Sequence, residues 1–464
     1  MFSSYSVNFG LASYFTVGYG LPLWLVIPLL FVLSQANHVL LAAHILLNSD
    51  EEAMTKAKQT NKKALTRERL LQTAASQMNI QGTASMDLKS VGMAAGMNRN
   101  ALYYYFKNRE DLVYQTYMRS AKQLADDLEI IDALSGSAAD KLRALTQLHL
   151  SEERGEQVVL KYLEVLDPAH RKPFAKLHRG NLEKLTLIFA NGVGSGEFRE
   201  VNPAVVAQLT LGMMDWAQLW YRWTYGSQDK AAHKRAQAAS VIDDIILTGV
   251  YSGSSSLLIA PPAVESLSAK KLDVFDTESM TEHKRERLIG VASRLFSQKG
   301  VEPTSIDDVA AAVNATKGAV YHYFENKHEL LMACYERTFD LFERIISSAE
   351  SLSGDSNDTL ALILHFHCQA NAGPQPPLVP QLSMSMLPEE YSARVLNISH
   401  RLYQLQRESV KAKRVKISSP AVVDLSLGAS TWVHHWLEEN PSVSARSLAD
   451  QICSIFSLGI QPRN

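Results

Sequence analysis

A chain of 464 residues is too long for one ordinary core, and its length sets the expectation of about three compact units. With 46% hydrophobic and 20% charged residues it is neither disordered nor fibrous, and a formal net charge of −2 excludes a uniformly basic nucleic-acid binder, so phosphate contacts must come from locally gathered charge. Three widely spaced cysteines, Cys334, Cys368 and Cys453, are odd in number, which argues against a disulfide framework and for a reducing compartment.

Leu and Ala dominate long stretches while alternating Val-Thr-Tyr runs are scarce, so the expected fold class is all-α. The first segment, residues 1–53, has no Asp, Glu, Lys or Arg before Asp50, and residues 21–47 contain enough apolar positions to cross a bilayer. Lys56, Lys58, Lys62 and Lys63 follow it and would hold the remainder in the cytoplasm. Pro22, Pro28 and the polar break Ser34–His38 interrupt the pattern, and Met54 opens an ordinary polar start. Two readings stand: a translation start placed too early, or a membrane anchor at residues 21–47.

An internal repeat organises the remainder of the chain. Residues 67–113, RERLLQTAASQMNIQGTASMDLKSVGMAAGMNRNALYYYFKNREDLV, align without a gap to residues 285–331, RERLIGVASRLFSQKGVEPTSIDDVAAAVNATKGAVYHYFENKHELL. Further on, LGMMDWAQLW at 211–220 matches LGASTWVHHW at 427–436. Two copies of one two-part unit result: a short head at 54–113 with a larger helical domain at 114–251, and a second head at 283–331 with a domain at 332–464. Residues 252–282, Ser- and Pro-rich at their start, read as a linker with an r.m.s. span of roughly 30 Å and a stretched reach near 100 Å.

In the second head, Leu288, Ile289, Ala292, Leu295 and Phe296 form one helical stripe that ends at Lys299-Gly300. Thr304 and Ser305, each followed by an Asp three residues on, offer a capping box for a helix with Ile306, Val309 and Val313 on its inner face. A tight turn at Asn314-Ala315 delivers Thr316 as the cap of a third helix, which makes a helix-turn-helix. On that third helix Lys317, Gly318, Tyr321 and His322 share an exposed face, while Val320, Tyr323 and Phe324 turn inward. A helix N-terminus and a lysine favour phosphate, a glycine permits close approach, and Tyr and His offer hydrogen bonds, so the face suits a DNA major groove.

This arrangement resembles the DNA-binding head of the TetR/AcrR family of bacterial transcriptional regulators, all-helical proteins that bind operators as dimers. The resemblance implies that Thr316, Lys317, Tyr321 and Lys327 contact phosphates, with Gly318 and His322 over base edges. In the first head the matching positions are Asn98, Arg99, Asn100, Tyr103, Tyr104 and Arg109, where Asn100 departs from the family's small residue. Residues 56–109 hold ten Lys or Arg against two acidic residues, +8, whereas residues 274–327 hold seven against eight, −1. The first head is therefore expected to hold DNA more tightly, and the two to prefer different half-sites.

The resemblance also implies an effector pocket in each larger domain and a dimer interface made of its last two helices. Trp216, Trp220, Trp432 and Trp436 are candidates either for lining a ligand pocket or for packing at that interface. His365, His367 and Cys368, like His434-His435, invite a metal reading, but residues two apart on a helix face different ways, so no metal is expected. With no catalytic or cofactor motif, neither an enzyme nor a cofactor is expected. The resulting expectation is a cytoplasmic TetR-like repressor that binds double-stranded DNA as a single-chain pseudo-dimer on an asymmetric operator, released by a small hydrophobic or acyl-type effector. The alternatives are a chain homodimer with four heads, or a ligand-independent architectural or membrane-tethered DNA-binding protein.

Overall fold

The computed structural model describes residues 62–80, 82–83, 86–159, 166–224, 231–252, 261–268, 276–353, 356–378, 387–433, 436–437 and 443–463. Residues 1–53, with the stretch 21–47, and the arm lysines Lys56 and Lys58 lie outside these. Two compact units, Met1–Arg69 and Leu70–Asn464, divide the chain, and both helix-turn-helix segments and both bundles lie in the second. Among the described residues no helix is long and apolar enough to cross a membrane.

The first copy runs through α1 (residues 62–80), α2 (Leu88–Ala94), α3 (Arg99–Leu102), α4 (Arg109–Asp132), α5 (Ala138–His149), α6 (Pro168–Gly194), α7 (Pro203–Thr224) and α8 (Ala231–Thr248). The second repeats the order in α9 (Thr277–Lys299), α10 (Ile306–Ala312), α11 (Lys317–Tyr321), α12 (Lys327–Leu352), α13 (Ser356–Ala372), α14 (Glu389–Lys411), α15 (Ala421–Ser430) and α16 (Ala445–Leu458). In each copy the long helix after the head, α4 or α12, starts on an asparagine cap: Asn108 accepts from the Asp111 amide at 2.8 Å and Asn326 from the Glu329 amide at 2.9 Å.

Part of the expected linker is structured. Asp276 caps α9 by accepting from the amides of Glu278 and Ser279, so that helix begins at Thr277, ahead of residue 283. Upstream, Val264 is buried and its amide donates to Gln369 Oε1 on α13 at 3.1 Å, while Arg446 donates to the Pro261 carbonyl at 3.0 Å. These contacts pin residues 261–268 to the second bundle.

Each head has its own apolar core, and a third fills part of the second bundle. The largest core is shared: Leu209, Met213 and Met214 of α7 and Ile242 and Ile245 of α8 pack in one cluster with Val422 and Leu425 of α15 and Ile452 and Phe456 of α16. Four helices, two from each copy, thus meet in one buried layer. Close approach is set by glycines: a Cβ on Gly212 would meet Ala429 and Trp436, and one on Gly428 would run into the Trp216 ring. At the C-terminal ends of α8 and α16 the two copies exchange equivalent bonds, Val250 N–H to the Phe456 carbonyl at 2.8 Å and Ile460 N–H to the Ile246 carbonyl at 2.9 Å. The two bonds run in opposite directions between the same two segments, which is the reciprocity of a two-fold contact. Gly249 and Gly459, at φ +71° and +69°, cross backbone to backbone at this point.

Candidate nucleic-acid interface

The two heads share a backbone device at every turn. Gly82 and Gly300 end the first helices at φ +78° and +86°. Asp87 caps α2 in a reciprocal box with Ser90, and Ser305 caps α10 in the same box with Asp308, the acid and the alcohol having changed places. Thr304, the other expected cap, is instead buried, and its hydroxyl donates to the Gly300 carbonyl at 2.7 Å. The tight turns place Gly96 and Asn314 in the left-handed region, at φ +71° and +56°, where glycine and asparagine cost least. Asn98 then accepts from the Ala101 amide at 2.9 Å and Thr316 from the Ala319 amide at 3.3 Å, starting the recognition helices.

Inside each head the buried phenylalanine is kept, while a neighbouring pair of residues changes at nearly constant volume. Leu102 and Phe106 are buried in the first head, as are Val320 and Phe324 in the second. Gly92 lies where an added Cβ would come within 2.8 Å of Leu102 Cδ1, and at the matching places of the second head Ala310 is paired with the smaller Val320. A carbon lost on one helix is regained on the other, which keeps the interhelix distance.

The outward faces form the candidate interface. Tyr103, Tyr104 and Tyr321 are 46%, 67% and 46% exposed, and Asn100, Gly318 and His322 are exposed beside them. Tyr104 meets Tyr105 edge-on at 5.2 Å, and His322 meets Tyr323 in the same way at 5.0 Å, so each outward ring is braced by a half-buried neighbour. Gly318 opens onto space: a Cβ added there would have only Thr316 Oγ1 nearby, at 3.9 Å, and its φ is not left-handed, so the fold itself does not require glycine. Arg99 starts α3, and its side chain lies outside the described residues.

Three expected phosphate contacts have partners within the head. Lys317 Nζ lies 2.9 Å from Asp307 Oδ2 on α10, and this bond holds its ammonium above the usual lysine range. Arg109 donates to the carbonyls of Met86, at 2.8 Å, and Thr83, at 2.5 Å. Lys327 donates in the same way to Val301 and Glu302, at 3.2 and 3.1 Å. Both cations tie the loop before the second head helix to the start of the long helix, a positioning role that spacing alone did not reveal.

In the bundles, Trp432 and Trp436 are buried in the shared core and Trp216 packs against it, which assigns these three to the contact between copies; the side chain of Trp220 lies outside the described residues. His365 Nε2 is 2.8 Å from Asp450 Oδ1, whereas His367 Nδ1 is 2.5 Å from Ser430 Oγ, and burial pushes the His367 imidazole down to about 3. The two histidines therefore serve different neighbours. His434 and His435 lie outside the described residues, among which no three His, Cys, Asp or Glu side chains gather as a metal site.

The first bundle has features that sequence reading missed. Asp127 is fully buried on α4, its carboxylate bound to His149 Nδ1 at 2.8 Å and to Arg154. Beside this network a cavity of about 10 Å³, room for one water-sized group, is lined by Ser120, Leu124, His149, Gln157, His178 and Asn181. The available sequence signal was a lone acid on the apolar stripe Leu124, Leu128, Ile131.

A short capped helix facing outward with tyrosines, set across a left-handed turn from a second capped helix, defines a helix-turn-helix protein, and here the unit occurs twice. The family model described as bacterial regulatory proteins, tetR family, matches residues 70–115 and again 288–334, and that of the tetracyclin repressor-like C-terminal domain matches residues 135–250. The chain belongs to the TetR/AcrR family, as a tandem duplication. Among curated relatives it is 32% identical over 81 residues to the transposon Tn10 TetC protein of Escherichia coli, covering 18% of this chain and 41% of that protein. It is 38% identical over 60 residues to the HTH-type transcriptional regulator AcrR of Shigella flexneri, covering 13% and 28%. The matched stretches thus span less than half the length of these relatives. Among solved structures, a TetR-family regulator from Bordetella parapertussis 12822 is 23% identical, over 38% of this chain and 96% of that one, with a TM-score of 0.32.

Proposed function

We propose that the chain is a DNA-binding transcriptional repressor whose two copies act as the two halves of a dimer within one polypeptide. The exposed faces around Tyr103, Tyr104, Tyr321 and His322 enter successive major grooves, with Asn98, Arg99 and Asn100 in the first head and Thr316, Lys317 and Gly318 in the second at the helix starts. Because these sets differ, the operator is asymmetric. The observation that carries this reading is the reciprocal pair Val250 to Phe456 and Ile460 to Ile246 above a four-helix core drawn equally from both copies. Tethering favours that pairing over association between chains.

An effector releases the DNA by entering a bundle and shifting the long helix that carries the head. The test is native mass measured at low concentration on DNA fragments recovered by genome-wide footprinting. A 51.5 kDa particle bound to a non-palindromic site is expected. Binding only by a particle of twice that mass overturns the single-chain reading in favour of four heads, and a sequence-independent footprint overturns the regulator.

A further inference from the structure

The recognition helices have opposite electrostatic surroundings. On the helix before them, Lys89 of the first head becomes Asp307 of the second, and both are exposed in the first turn. Just after them, Lys107 becomes Glu325 at the same offset, again exposed in both copies. The backbone at these places is the same: the Lys107 amide donates to Asp111 at 2.8 Å and the Glu325 amide to Glu329 at 2.6 Å. The difference is therefore one of charge on an equal scaffold.

Its consequence is direct at one end of α11. Asp307 holds Lys317 at 2.9 Å, although both side chains are more than half exposed, so the carboxylate occupies the cation that a phosphate would otherwise take. At the other end Glu325 presents a second negative charge beside the cap of α12. A DNA backbone approaching the second head meets repulsion on both flanks of the recognition helix, and attraction at both matching places on the first.

We infer that Asp307 and Glu325 are specificity-determining residues that weaken the second head's grip on phosphate, so that it engages DNA only when the first head anchors the chain and its base-facing residues match. This rests on the DNA-binding reading above. A head with little sequence-independent affinity discriminates by its base contacts, because wrong sites offer it nothing to hold.

The full chain carrying Asp307→Lys and Glu325→Lys tests this on a random-sequence duplex about 40 base pairs long, which spans two half-sites a helical turn apart. The logarithm of affinity against that of salt concentration should steepen by about two, and binding at low salt should tighten about tenfold. Asp307→Asn with Glu325→Gln should give about half the change and stands in if the lysine variant folds poorly. Lys89→Asp with Lys107→Glu should make the slope shallower by about two. An unchanged slope in both second-head variants, with the first-head variant still shallower, overturns the inference while leaving DNA binding intact. No slope change in any variant overturns the DNA-binding reading as well.

Discussion

His149 and His367 stand at the same place in their copies, and their surroundings differ. In the first bundle the imidazole meets buried Asp127, itself bound to Arg154; in the second the residue matching Asp127 is Ile345, buried and apolar, and His367 lies 4.8 Å from the Phe342 ring with Ser430 as its partner. One half is organised around an ionic cluster and the other around a neutral, packed histidine. The heads teach the same lesson from outside: capping boxes, left-handed turns and core volumes persist while exposed charges reverse. Duplication in one chain preserves what backbone geometry demands and frees the rest to diverge.

That contrast can be broken most strongly at Asp127. Asp127→Ala strands buried His149 and half-buried Arg154, and should cost about 3 kcal/mol in urea unfolding. The matching Ile345→Ala should cost about 2 kcal/mol by cavity formation, with no dependence on pH.

Next comes Asp243 on α8, which accepts from Thr146 Oγ1 at 2.7 Å and whose carboxyl burial pushes up to about 6. A carboxyl whose folded pKa is raised binds more protons folded than unfolded, so this group lowers stability as pH rises from about 4 to 6, and the penalty stays complete above that. Asp243→Asn keeps the acceptor oxygen. It should flatten the stability profile in that window and add on the order of 2 kcal/mol at pH 7, as read by thermal or denaturant unfolding across pH. The matching place in the second copy, near Cys453, offers no such carboxyl.

In the heads, Gly92→Ala should cost about 1–2 kcal/mol through contact with Leu102, and adding Leu102→Val should recover most of it by recreating the Ala310/Val320 pair. A double-mutant cycle measures the recovery; additive costs would dismiss the exchange of volume. The smallest effect on stability, within about 0.5 kcal/mol, belongs to Gly318→Asn, which copies Asn100 into open space. Its expected result is a changed base preference in the second half-site, read by selection from a randomised operator.

The heads were largely legible in sequence because their signals are local. Ser305 and Asp308, Asn314, Thr316, and the inward Val320 and Phe324 are fixed by spacings of a few residues, and the structure has each in its expected role. Thr304, Arg109 and Lys327 escaped because their partners are backbone carbonyls, which no residue type advertises. The tryptophans could be read only as pocket or interface until the structure set Gly428 beneath Trp216. The Asp127 cluster was out of reach because Asp127, His149 and Arg154 converge only once α4 and α5 are packed.

The crossing of residues 246–250 with 456–460 has a consequence for synthesis. The first bundle's α7 and α8 bury their apolar faces against α15 and α16, which emerge from the ribosome roughly 200 residues later, some 10–40 seconds at ordinary elongation rates. During that interval the nascent chain carries a complete but uncovered half of a four-helix core, open to the same half of a neighbouring nascent chain. Closing on its own second copy is then a race between elongation and encounter, and slower translation or closely spaced ribosomes should raise the share of chains joined through their first halves.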